Sequence, residues 1–213
     1  MTLKKGGRTE PMCQDHDDTR SGEAMPVKGH GAWRRVMRSR DGAAAIEFAL
    51  LAIPYFMIVF AIIETFIAYT GEQLVANAVD TMGRKIRTGQ ITASNTKEVP
   101  FRRAFCNEIS ILIRCSEAEI TTPNKLRLDV RSFANFADIP LEIPVGADGD
   151  LDPSGFAYAP GPAKSVNMVR AYYHWDIIVD LIRPYISNVR PAGGRPNYFL
   201  IVETSAFRNE DYP

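Results

Sequence analysis

Sixteen successive residues, 48–63, carry no charge and read FALLAIPYFMIVFAII. Residues 43–46 add four small or apolar positions on the other side of Glu47, and residues 66–69 extend the run past Glu64 and Thr65. A helix rises about 1.5 Å per residue and needs about 20 mostly apolar residues to cross a hydrocarbon core. Residues 43–69 meet that length with Glu47 and Glu64 near the two ends. The competing reading is a buried core helix, since sixteen uninterrupted residues fall slightly short of a span. Against it, a core helix rarely stays apolar on every face. Pro54 removes one helical donor and crowds the preceding turn, so a kink is expected there, which membrane helices tolerate.

Beyond the span the period stays helical. Leu74, Ala78, Met82 and Ile86 recur every fourth residue, with Val75 and Val79 beside them. The helix is therefore expected to run on to about Thr88, where Gly89 can stop it before a turn-rich TGQITASNT. A second amphipathic helix follows Pro100, with Phe101, Phe105, Ile109, Leu112 and Ile113 on one face. The period then changes to two. In KLRLDVRSF, Leu126, Leu128 and Val130 alternate with Arg127, Asp129 and Arg131, the pattern of a half-buried strand. Residues 137–162 are rich in glycine and proline and read as a long surface loop. Residues 165–179 and 197–207 read as strands, joined by a short helical or irregular stretch broken at Pro184. Strands following helices predict an α+β fold with an antiparallel sheet. The division is residues 1–42 as a polar leader or disordered tail, 43–70 as the transmembrane helix, and 71–213 as a small extracytoplasmic α+β domain. Met37 is a possible alternative start, opening a short basic leader.

Charge refines this picture only a little. The 213 residues carry 25 basic and 25 acidic side chains, so no global charge draws the chain to nucleic acid. Apolar content of 46% suits a folded chain. Lys28, Arg34, Arg35, Arg38 and Arg40 precede the span, and Arg84, Lys85 and Arg87 follow it, which favours a cytoplasmic N-terminus by a narrow margin. The run is long for a secretory signal, and no small-x-small cleavage site follows it cleanly. Cys13 then lies on the cytoplasmic side, and Cys106 and Cys115 lie outside, where disulfides persist; two unrelated thiols are the alternative. Nine residues of unbroken helix would hold those two Cα atoms about 13 Å apart, so pairing requires the helix to end and the chain to fold back before Cys115.

Little in the chain points to catalysis. Of three histidines, His16 and His30 precede the span, and His174 sits in the apolar AYYHWD, where packing is the simpler reading. No phosphate-cradling glycine motif and no Cys/His metal pattern is present. Arg102, Arg103 and the Arg84/Lys85/Arg87 group read as solvated helix faces, and Tyr172, Tyr173 and Trp175 as core or sheet surface. No catalytic residue, metal or cofactor is expected.

Glu47 remains to be explained. Gly42, then AAAI, then Glu47 and Phe48 resemble the processing site of type IV prepilins and pseudopilins. In that family a prepilin peptidase cuts after the glycine, here leaving Ala43 first and Glu47 fifth in the mature chain. Glycine lets a protease approach the backbone closely. Cutting creates an α-amino group that is charged near neutral pH, and an unpaired ion among packed apolar helices costs several kcal/mol. Glu47 on a neighbouring helix is placed to offset it. The longer GAAAIEFALLAIPYFMIVFAIIE resembles the TadE-like family of tight-adherence (Flp-type) pilus assembly proteins, with Pro54 and Glu64 at matching places. LDVRSF and AFRNEDYP resemble that family's first strand and C-terminal ending. The resemblance implies a pilin-like, non-enzymatic pseudopilin in the bacterial inner membrane, with a periplasmic head. Its partners would be other pilin subunits, the assembly machinery and the prepilin peptidase. Glu64 is read either as holding a specific polar partner or as a hydrated boundary residue. The rival function is an uncleaved single-pass envelope protein with a binding or enzymatic head.

Overall fold

A computed structural model describes residues 40–212. Cys13, His16, His30 and most of the expected leader lie outside the described residues. One helix, α1 (Arg40–Arg87), runs without interruption through Pro54. The chain divides into two units after Leu50. In the first, the helical side chains from Ala43 to Leu50 are all exposed.

In the second unit, α1 changes character along its length. From Leu51 to Tyr69 its large apolar side chains are exposed. From Val75 onward the apolar stripe is buried: Val75, Ala78, Val79, Met82 and Ile86 enter one core with Phe101, Phe105, Val130, Val169 and Ile201. The helix stops where expected. Gly89 adopts a φ of +75°, a conformation that penalises any Cβ, and the Tyr212 ring lies where a Cβ would stand. The C-terminal segment closes this helix end, because the Glu210 N–H donates to the Arg87 carbonyl at 2.9 Å. Asn209 is buried and donates to the carbonyls of Gly161 and Pro162.

Helix α2 (Glu98–Glu108) buries Phe101, Phe105 and Cys106. Its predicted apolar face continues only as a turn, through buried Ile109 and Ile113, while Leu112 is exposed. The chain then folds back, and Cys106 and Cys115 are joined with Cα atoms 5.9 Å apart. A short α3 (Glu117–Thr121) follows, capped by the Ser116 hydroxyl, which accepts the Glu119 N–H.

Four strands make the sheet: β1 (Leu126–Phe133), β2 (Tyr158–Ala159), β3 (Val166–Trp175) and β4 (Phe199–Arg208), in the order β2-β1-β3-β4. The expected antiparallel pairing holds for the long strands, with Val130 opposite Val169 and Val169 opposite Ser205. The two-residue β2 adds a parallel edge against Val130 and Arg131, so the sheet is mixed. One face, carrying Leu126, Leu128 and Val130, packs on the helices. Two long connections lie over the other face, where Tyr172, Tyr198 and Leu200 form a smaller core with Phe156 and Val189. A four-residue helix α4 (Arg183–Ile186), with Pro184 in its first turn, breaks the second connection.

The alternation in β1 misplaces one residue. Asp129 is buried rather than solvated. Its carboxylate accepts from the Arg131 side chain and from the Ala157 N–H at 3.1 Å, which ties the first long connection to the sheet. Arg170, also buried, reaches the Pro140 carbonyl and the Thr204 hydroxyl to the same effect. Arg102 likewise departs from the solvated face expected of it: it is buried, pairs with Glu98 and donates to the Ile120 carbonyl.

Candidate functional site

The residues singled out from sequence are strung along α1 rather than gathered into a pocket. Gly42 stands in the helix's first turns, and Ala43, Glu47, Phe48 and Pro54 are exposed on it. Residues 42–87 form a helix long and apolar enough to cross a membrane, and its most apolar stretch is not buried within the protein. The core-helix alternative therefore fails over the described residues. Phe48, Leu51, Ile53, Phe56, Ile58, Phe60 and Ile62 are each more than half or about half exposed. A sleeve of this size left in water would be strongly unfavourable, at about 25 cal/mol per Å² of apolar surface. The apolar face calls for lipid or for other apolar helices.

Glu64 breaks the pattern and resolves the choice left open by the sequence. It is only 6% exposed. Its Oε1 accepts the Ile178 N–H at 2.5 Å and its Oε2 accepts the Val179 N–H at 2.9 Å. A carboxylate in apolar surroundings is tolerated when each oxygen has a donor. Here two successive amides after β3 supply both. The partner is main chain more than a hundred residues away, so no pattern local to Glu64 announces it. Close above it, Gly71 lets the helix approach Trp175: a Cβ there would come within 2.7 Å of the indole. Neither Gly71 nor the amides of Ile178 and Val179 stood out in the sequence.

A cleft of about 260 Å³ in the head gathers the histidine singled out from sequence with other ionisable groups: Lys125, Asp150, His174, Arg195 and Tyr198 line it among others. His174 stacks on Tyr198 with ring centroids 3.7 Å apart, and its Nε2 lies 3.1 Å from Asp176. Burial pushes the His174 pKa down, against the pull of Asp176. Burial, with a hydrogen bond to Asp150, pushes the Tyr198 phenol well up. The lining contains no serine, threonine or cysteine beside the imidazole. Arg195 is taken up by Asp148 and Asp150. Among the described residues no group of three His, Cys, Asp or Glu side chains is placed to hold a metal ion.

Fold and site together define an α+β protein with a long apolar helix, whose large apolar side chains are bare from Leu51 to Tyr69 and which is built into a small mixed-sheet head from Val75 onward. Residues 42–84 match the model of the TadE-like protein family, in agreement with the resemblance carried by the anchor motif. The match opens at Gly42 and closes at Arg84, inside α1. The strand and C-terminal resemblances lie beyond it. No curated protein and no solved structure matches the chain.

Proposed function

We propose that this chain is a pseudopilin-like, non-enzymatic component in the assembly of a Flp-type pilus. It sits in the bacterial inner membrane by a single helix, with its N-terminus cytoplasmic and residues 71–213 as a periplasmic head. The observation that carries this reading is the TadE-like match beginning at Gly42 and following the exposed rod. A prepilin peptidase cuts after Gly42, and the new ammonium at Ala43 pairs with Glu47 of a neighbouring subunit. Exposure of Glu47 on the rod leaves its carboxylate open to such a partner. Pro54 supplies a bend point, and the bare apolar faces on either side of it pack against other pilin helices. The Cys106–Cys115 link stiffens the turn after α2 in an oxidising compartment.

N-terminal sequencing of the protein recovered from membranes tests the reading. A chain starting at Ala43 is expected. An intact leader in cells with an active prepilin peptidase would overturn processing and favour the uncleaved envelope anchor.

A further inference from the structure

The loop that Glu64 grips bears bare apolar side chains, as the 136–145 connection does, but it alone of the two is tied to the apolar part of α1. Residues 177–186 read IIVDLIRPYI. Ile177 is buried, but Ile178 is 84% exposed, Leu181 56% and Tyr185 87%. The loop's charges are matched internally: Arg183 pairs with Asp180 at 2.5 Å and also donates to the carbonyls of Ile177 and Asn197. Its main chain is largely satisfied too. The amides of Ile178 and Val179 go to Glu64, those of Ile182 and Arg183 to Val179 and Asp180, and those of Ile186 and Ser187 to Ile182 and Arg183. Bared apolar side chains over paired charges and paired amides are what a low-dielectric surrounding requires.

Its level along α1 points the same way. The rod's exposed apolar residues do not stop at Glu64. Phe60, Ile62 and Ile63 lie on one side of it, and Phe66, Ile67 and Tyr69 on the other. At about 1.5 Å per residue, the bare apolar band runs about 7 Å further toward the head than the point where the loop is tied. The loop is thus fastened inside the band, not above it.

We propose that loop 177–186 is a second membrane anchor, a short monotopic wedge that seats Ile178, Leu181 and Tyr185 in the acyl–headgroup boundary of the leaflet facing the head. It rests on the reading of α1 as a membrane span. The occupant is lipid, because the loop continues the rod's apolar band and its charges are neutralised within it. Interfacial elements of this kind sit about 5–10 Å into the boundary, and tyrosine suits that depth. Tied by Glu64 and seated in the same leaflet, the loop holds the head at a fixed orientation to the membrane plane, which a single spanning helix alone would leave free.

Spin labels on the full-length chain in phosphatidylethanolamine–phosphatidylglycerol vesicles test this. Cys13→Ser removes the one cysteine outside the disulfide. Single cysteines then replace Ile178, Leu181, Leu141 and Phe56 in turn, all exposed positions whose side chains carry no hydrogen bond. The ratio of collisions with oxygen to collisions with a water-soluble nickel chelate is read at each. Labels at 178 and 181 are expected to give a ratio several-fold above that at 141, which lies in a different loop, and to approach that at 56. Water-like values at 178 and 181 with a lipid-like value at 56 would overturn the wedge and leave the span intact. A water-like value at 56 would overturn the span and the wedge together. Labels at 178 and 181 shielded from both reagents would also overturn the wedge, in favour of a protein partner on that loop.

Discussion

Replacing Glu64 releases the loop it holds, and the cost can be worked out from the two hydrogen bonds. Each is donated by an amide to an ionised acceptor, a class worth about 1.5–3 kcal/mol. Glu64→Gln keeps one acceptor oxygen and loses the charge, so it weakens the clamp by about 1.5–3 kcal/mol. At 1.4 kcal/mol per tenfold, amide exchange at Ile178 and Val179 speeds up about 10- to 100-fold. Glu64→Ala leaves both amides unpaired, at about 1–3 kcal/mol each. Its effect is capped by the free energy of opening the loop, since an opened loop gives its amides back to water. The opening is local because the buried helix–sheet core begins at Val75, past this clamp, and is closed independently by Phe101, Phe105 and Ile201. Hydrogen–deuterium exchange read by mass spectrometry on the reconstituted protein measures this, with peptides covering 176–186 against peptides from β3 and β4. Faster exchange is expected in the loop alone. Unchanged protection of residues 178 and 179 in Glu64→Ala, with the strands still native, would refute the clamp.

Gly71→Val drives a branched side chain into the Trp175 indole, against which even a Cβ stands at 2.7 Å. A loss of about 1–3 kcal/mol is expected from overpacking, with a shift in tryptophan emission; an unaltered melting temperature and spectrum would contradict the packing. Changing Cys106 and Cys115 together to serine frees a short loop and costs about 2–3 kcal/mol in denaturant unfolding on the chain-entropy account. His174 has a folded pKa lowered chiefly by burial. The unfolded chain therefore takes up its proton first as pH falls below about 6.5, so stability drops through that window and levels off below the folded pKa. His174→Phe keeps a ring on Tyr198 and removes the titration, so the gap in melting temperature between variant and parent should change from pH 7.5 to pH 5; a constant gap would sink this account. Glu47→Ala should insert into membranes normally yet fail to co-assemble with other pilus components, as scored by co-purification. Normal co-assembly would contradict the ion pairing proposed for Glu47.

Periodicity and composition settled much of this molecule in advance. An uncharged stretch apolar on every face favoured a membrane span over a buried core helix, and i, i+4 spacing carried the helix on to Gly89. A change of period at Leu126 marked the first strand, and the cysteine spacing required the fold-back after α2 if the two were to pair. These features rest on contacts within a few residues, which a linear pattern records. Only the tertiary structure decided the fates of Glu64, Asp129 and Arg102. Each is a charge that local pattern left open or assigned to water. Each is buried instead, because main-chain donors or acceptors, and in two cases a partner side chain, meet it there: Ile178 and Val179, Ala157, Ile120. A buried charge stands or falls by the geometry of such partners, and for Glu64 they arrive from more than a hundred positions along the chain.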